Sequence, residues 1–137
     1  MESPPLLKPS IYKEEGTPSL PENPALLGGK CSCGYVFFPM QTYGCEKCGH
    51  HGEALQATEL TGRGRIIAST KVHLHAGKRE TPFIVAAIEL EDGPVVRTLM
   101  DTPEAQVSPG DPVVTVLVNT ADPETGEARR DLRFSKI

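Results

Sequence analysis

Four thiols, Cys31, Cys33, Cys45 and Cys48, are the chain's entire cysteine content. They fall in the stretch KCSCGYVFFPMQTYGCEKCGHHG with the spacing C-x-C-G-x10-C-x2-C-G. Two close thiolate pairs, each followed by glycine, are what a tetrahedral sulfur site for a divalent metal requires. The glycine after each pair accepts a backbone conformation that lets N–H groups approach sulfur. Four sulfurs favour one Zn²⁺ per chain, with iron as the competitor. The first pair, C-x-C, is one residue shorter than the usual knuckle and demands a tighter turn. His50 and His51 directly follow the second pair; either is an alternative ligand, and exposed loop residues are the plainer reading. A disulfide is disfavoured, because C-x-C closes a strained ring. With four protein ligands the metal keeps no open position for water, so the site reads as structural and not catalytic.

The surrounding chain divides into three parts. Residues 1–27 form an arm carrying Pro4, Pro5, Pro9, Pro18, Pro21 and Pro24, so only a short helix fits, around Ser10–Glu15. Two readings stand for it: a disordered tail, or an arm that orders on a partner. Leu6, Leu7, Ile11, Tyr12, Leu20, Leu26 and Leu27 favour the second, and the first four are candidate partner-interface residues that so small a chain has no core to accommodate. Residues 28–57 form the ribbon, with YVFFP as the apolar strand covering the sulfurs. Residues 58–137 read as strands. Ile66, Ala68, Thr70, Val72 and Leu74 alternate with Ser69, Lys71, His73 and His75. Pro82–Leu90 is apolar on both faces and turns through EDGP into Val95–Met100 as a hairpin. Val113–Val118 follows the turn SPGDP, and Arg130–Ile137 alternates with Leu132 and Phe134 inward. Five strands without a helical period between them predict a mainly β fold, with a five-stranded antiparallel OB-type barrel ahead of a small sandwich.

Composition narrows the function. The chain of 137 residues has net charge −4, no Trp, three Tyr and four Phe. An acidic chain with few stacking rings is a poor match to nucleic acid, although OB barrels and ribbons both serve there. MESPPLLKPS lacks a basic segment followed by an apolar one, and no apolar run approaches a bilayer's span, so the expectation is a cytoplasmic protein away from membranes. No G-x-S-x-G, P-loop or H-E-x-x-H is present. The stretch TGRGR, Thr61–Arg65, is a weak phosphate signal whose plain reading is a glycine bend opening the first barrel strand. Lys71, His73, His75, Lys78 and Arg79 gather positive charge. That charge suits the phosphates of an acidic cofactor or an acidic partner, and equally a solvated face.

The order CG…FFP…CxxCG, then ELTGRGRIIASTKV, SPGDPVVTVLV and LRFSKI, resembles a family of small OB-fold proteins with a rubredoxin-like zinc ribbon, long catalogued as a domain of unknown function. The resemblance covers roughly residues 25–137; the C-x-C knuckle and FFPM depart from the family pattern. It implies a partly helical N-terminal arm, a zinc ribbon and an OB barrel. Family members act as non-catalytic partners of acyl-CoA enzymes: thiolases, hydroxymethylglutaryl-CoA synthases, thiolase-like aldolases of steroid breakdown, and two-component thiolases of aromatic compound degradation such as benzoylsuccinyl-CoA thiolase. The resemblance thus implies a hetero-oligomer whose catalytic groups belong to the partner. This chain then scaffolds the partner and helps hold coenzyme A, with Arg63, Arg65, Lys71 and Lys78 as candidate phosphate contacts. The competing classes are a single-stranded nucleic-acid module and a rubredoxin-like electron carrier.

Overall fold

The computed structural model describes residues 3–73 and 82–137. Its strands are β1 (Leu26–Cys31), β2 (Val36–Phe37), β3 (Leu55–Leu60), β4 (Arg63–Val72), β5 (Phe83–Leu90), β6 (Val95–Leu99), β7 (Pro112–Ala121) and β8 (Ala128–Lys136). The helical content among these residues is one 3-10 turn, Gly52–Ala54. No helix among them is long and apolar enough to cross a membrane.

Two antiparallel sheets form. One has the order β2-β1-β3 and carries the cysteine loops; the other has the order β6-β5-β4-β7-β8. The second curls until its two end strands meet. Met100 and Phe134 make a parallel bridge, and the Asp101 N–H donates to the Phe134 carbonyl at 2.8 Å. Curling covers part of the exposed strand edge, which is the reason small antiparallel sheets tend toward closure. Leu132 and Phe134 point inward as their alternation indicates, at 5% and 0% exposure.

The TGRGR glycines answer to packing. A Cβ on Gly64 would sit 2.5 Å from the Glu89 carbonyl, and one on Gly62 would sit 2.5 Å from the Pro24 carbonyl. Only glycine lets these backbones approach so closely.

Two expectations are corrected. The described arm residues contain no helix. Ile11, Tyr12 and Lys13 run extended beside β1, with Leu27 N–H donating to Ile11 O at 2.9 Å and Lys13 N–H to Ala25 O at 3.0 Å. Unpaired strand edges offered these proline-flanked residues more hydrogen bonds than a single helical turn would. The single alternation along β4 also fails. The register against β5 shifts between Ile66 and Ala68, so one extra residue reverses the side-chain phase. Lys71 then lies opposite Ile84, and residues 67–71 are all exposed, since β7 pairs with β4 only over Arg63–Arg65. Leu74, His75, Lys78 and Arg79 lie outside the described residues.

One core joins arm, ribbon and barrel. Tyr12, Leu26 and Leu60 pack in the same cluster as Ile66, Ile88 and Phe134. The Tyr12 hydroxyl accepts from Lys8 N–H at 3.1 Å and faces both Arg130 O (3.2 Å) and Asp131 Oδ1 (3.1 Å). Burial, then the neighbouring Asp131 carboxylate, raise its pKa above the usual 10, against the lowering pull of the Lys8 and Leu132 N–H groups. Tyr12→Phe should cost about 1–3 kcal/mol, read from a urea midpoint. Because the folded phenol holds its proton more tightly than the unfolded one, this contribution is complete below pH 10. It falls away as pH rises through the folded value. The phenylalanine variant should lack that alkaline loss.

Candidate metal centre

The two knuckles are built by backbone geometry that the sequence requires. Cys31 ends β1, and its N–H donates to Tyr35 O at 2.8 Å, while Gly34 N–H returns to Cys31 O at 2.8 Å. The second knuckle repeats the pattern: Cys45 N–H donates to His50 O at 2.8 Å and Gly49 N–H to Cys45 O at 2.9 Å. Gly34 (φ 97°) and Gly49 (φ 82°) hold the left-handed conformation that side chains disfavour. The approach to the second knuckle is fixed by Gln41, whose amide donates to Gly44 O at 2.6 Å and accepts from Gly44 N–H at 3.1 Å.

These turns bring the four sulfurs within 4.8 Å of one another. Cys31 and Cys48 Sγ stand 3.4 Å apart, and Cys33 and Cys45 Sγ 3.8 Å. A tetrahedron with metal–sulfur bonds of about 2.3 Å has edges of about 3.8 Å, whereas a disulfide bond spans about 2.05 Å. The donor set therefore fits a single metal ion, short first knuckle included. His50 and His51 are exposed and stand outside this four-sulfur group.

Charge makes the same point. Burial works to raise the Cys45 thiol, but the N–H groups of Cys48 and Lys47 and the neighbouring thiols outweigh it and bring its pKa to about 6. The His50 N–H works to lower Cys48, yet burial and its three sulfur neighbours push it up to about 12. The cluster accepts one negative charge readily and resists the last, a conflict that a divalent cation relieves. Phe37 and Leu55 seal the sulfurs from below, with Tyr35 and Met40 packed against them.

The other sequence candidates are placed as follows. Arg63 pairs with Glu91 at 4.0 Å and Arg65 with Glu89 at 3.4 Å, all four largely exposed. Lys71 stands six residues further along β4, about 20 Å away and in reversed phase beyond the bulge. The structure does not bring these three together, and Lys78 lies outside the described residues. Of the arm candidates, Tyr12 is 3% exposed, Leu6 and Ile11 pack on the core, and Leu7 is half-buried with its N–H on Arg130 O at 2.9 Å. The chain thus uses these residues in its own core and edge contacts.

Arg130 escaped the sequence reading. Its guanidinium holds Pro4 O at 2.7 Å and Glu14 at 2.7 Å, strapping the arm to β8 across more than a hundred residues. No local pattern signals a contact at that separation.

Residues 57–118 match the family model described as "ChsH2, C-terminal OB-fold domain". This segment is similar to a ChsH2-type OB-fold domain. Two curated relatives, each called "DUF35 domain-containing scaffold protein", come from Methanocaldococcus jannaschii and Pyrococcus furiosus. The first is 33% identical over 75 residues, 53% of this chain and 52% of the relative. The second is 34% identical over 73 residues, 52% of each. The chain spans about half the length of the curated relatives it matches. Among solved structures, "Ltp2-ChsH2(DUF35) aldolase" shares the fold, with a TM-score of 0.59 at 21% identity over 80% of this chain and 84% of that one. A curled five-stranded sheet similar to the ChsH2 OB-fold and a four-sulfur ribbon thus stand together in one chain, as the resemblance implied.

Proposed function

We propose that this chain is a non-catalytic, zinc-loaded accessory subunit that complexes with a thiolase or thiolase-like enzyme and supports acyl-CoA binding and turnover. The observation that carries the proposal is the match of residues 57–118 to the ChsH2 OB-fold domain, with relatives named as scaffold proteins. The solved structure of like fold, titled as an aldolase that includes a ChsH2(DUF35) component, supports a hetero-oligomer. Zn²⁺ suits four sulfurs better than harder divalent ions do, and four protein ligands leave it no open coordination position. Catalytic groups then belong to the partner. Within this reading Lys71 is, among the described residues, the member of the CoA-phosphate set without an ion pair, since Arg63 and Arg65 face Glu91 and Glu89.

The test is complex formation. The zinc-loaded chain should co-elute from a sizing column with a thiolase-like enzyme captured at native expression, in fixed stoichiometry that persists at high salt. Separate elution would sink the proposal. The same preparation should bind single-stranded DNA or RNA no more tightly than about 10⁻⁴ M at physiological salt. A nanomolar, steeply salt-dependent affinity would instead make it a nucleic-acid module.

A further inference from the structure

The barrel's seam is incompletely closed. β6 and β8 meet at Met100–Phe134, and the arm joins β8 at Leu6–Arg130, leaving the edge of β8 that faces away from β7 without a ladder between those bridges. Tyr12 lies in that interval, and behind it opens a cavity of about 440 Å³. Ile11, Leu26, Phe38, Phe83, Val85 and Leu132 supply much of its apolar wall. The cavity is partly open to solvent and of the size that small ligands occupy, so it is a cleft and not a sealed packing void.

The polar groups on this cavity are uneven in sign. Asp131 contributes a carboxylate, but it is engaged by the Tyr12 hydroxyl at 3.1 Å and Arg133 Nε at 3.4 Å. Lys8 and Arg97 also line the cavity, and neither side chain makes an ion pair among the described residues. In a chain of net charge −4, two uncommitted cations beside one apolar cavity select for an anion with an apolar body.

We propose that the seam cavity binds a small amphipathic carboxylate. Its aliphatic or aryl body fills the space between the arm and β5, and its carboxylate takes the Arg97 guanidinium, with Lys8 as the second cation. Arginine's planar fork suits a carboxylate and gives the site its preference for charge. The site belongs to this chain alone and does not depend on the accessory-subunit reading.

The test titrates the full zinc-loaded chain with 4-phenylbutyrate, and separately with 4-phenylbutanol and 4-phenylbutylamine, by calorimetry near neutral pH. Saturable one-to-one binding of the carboxylate is expected, at least about tenfold tighter than the alcohol. Arg97→Gln, at an exposed position, should erase that preference without changing the alcohol's affinity or the melting temperature. Val85→Trp should block all three probes by filling the wall, and circular dichroism with the melting temperature reports whether this variant remains folded. Absence of saturable binding at millimolar carboxylate would overturn the proposal. So would equal affinity for the three probes, or an Arg97→Gln protein that binds like the parent.

Discussion

Cys45→Ser is expected to release the metal and unfold the ribbon loops while the barrel stays folded. Cys45 is buried beside Cys31, Phe37 and Leu55, a cluster too small to hold residues 31–54 by apolar contact alone. In modules of this kind the metal supplies the folding energy, with apparent binding free energies of roughly 10–16 kcal/mol in zinc-finger peptides at neutral pH. Three thiolates and a serine hydroxyl cannot repeat the tetrathiolate. Affinity should therefore fall by orders of magnitude, and the remaining thiols should become freely reactive. Leu26 and Leu60, at the far ends of β1 and β3, belong to the main core, so the loss should stop at the knuckles. Native mass spectrometry gives the metal count, and thiol titration beside circular dichroism gives the extent of unfolding. A stoichiometrically metallated Cys45→Ser protein would contradict the site.

Tyr12→Ala should cost about 3–5 kcal/mol, the range for removing a large buried aromatic ring. The ring fills the interval between the two bridges on β8, and its hydroxyl serves Lys8 N–H as well as the Arg130 and Asp131 oxygens. Deleting residues 1–24 should be more severe still. It removes Tyr12 together with Leu6, Ile11 and the Asn23 amide that donates to Thr115 O at 2.9 Å. The deleted protein should expose the seam and bind a hydrophobic dye. Urea midpoints measured on metal-loaded samples separate this loss from loss of the ribbon. A truncated chain as stable as the parent would show the arm to be an appendage, whatever its contacts.

The sequence made visible those features whose causes are local. The four cysteines and the glycine behind each pair declare the knuckles, because metal geometry restricts both spacing and backbone. Leu132 and Phe134 declare an inward face, because a strand's period is fixed. The bulge at Ile67 left no such mark. It depends on how β5 pairs with β4, and one unpaired residue was enough to turn Lys71 to the other face. Arg63 and Arg65 looked available for phosphate until β5 set Glu91 and Glu89 beside them. The arm seemed surplus because the partners that order it, Arg130 and Asp131, lie at the other end of the chain.

The central claim is that a thiolase-like enzyme needs this chain for turnover. The direct measurement is steady-state thiolysis or condensation by the captured partner, assayed alone and with stoichiometric zinc-loaded chain. Added alone, the chain should show no such activity; added to the partner, it should raise kcat/KM for acyl-CoA by at least about tenfold. If the partner reaches its full kcat and kcat/KM without it, the accessory-subunit account is contradicted.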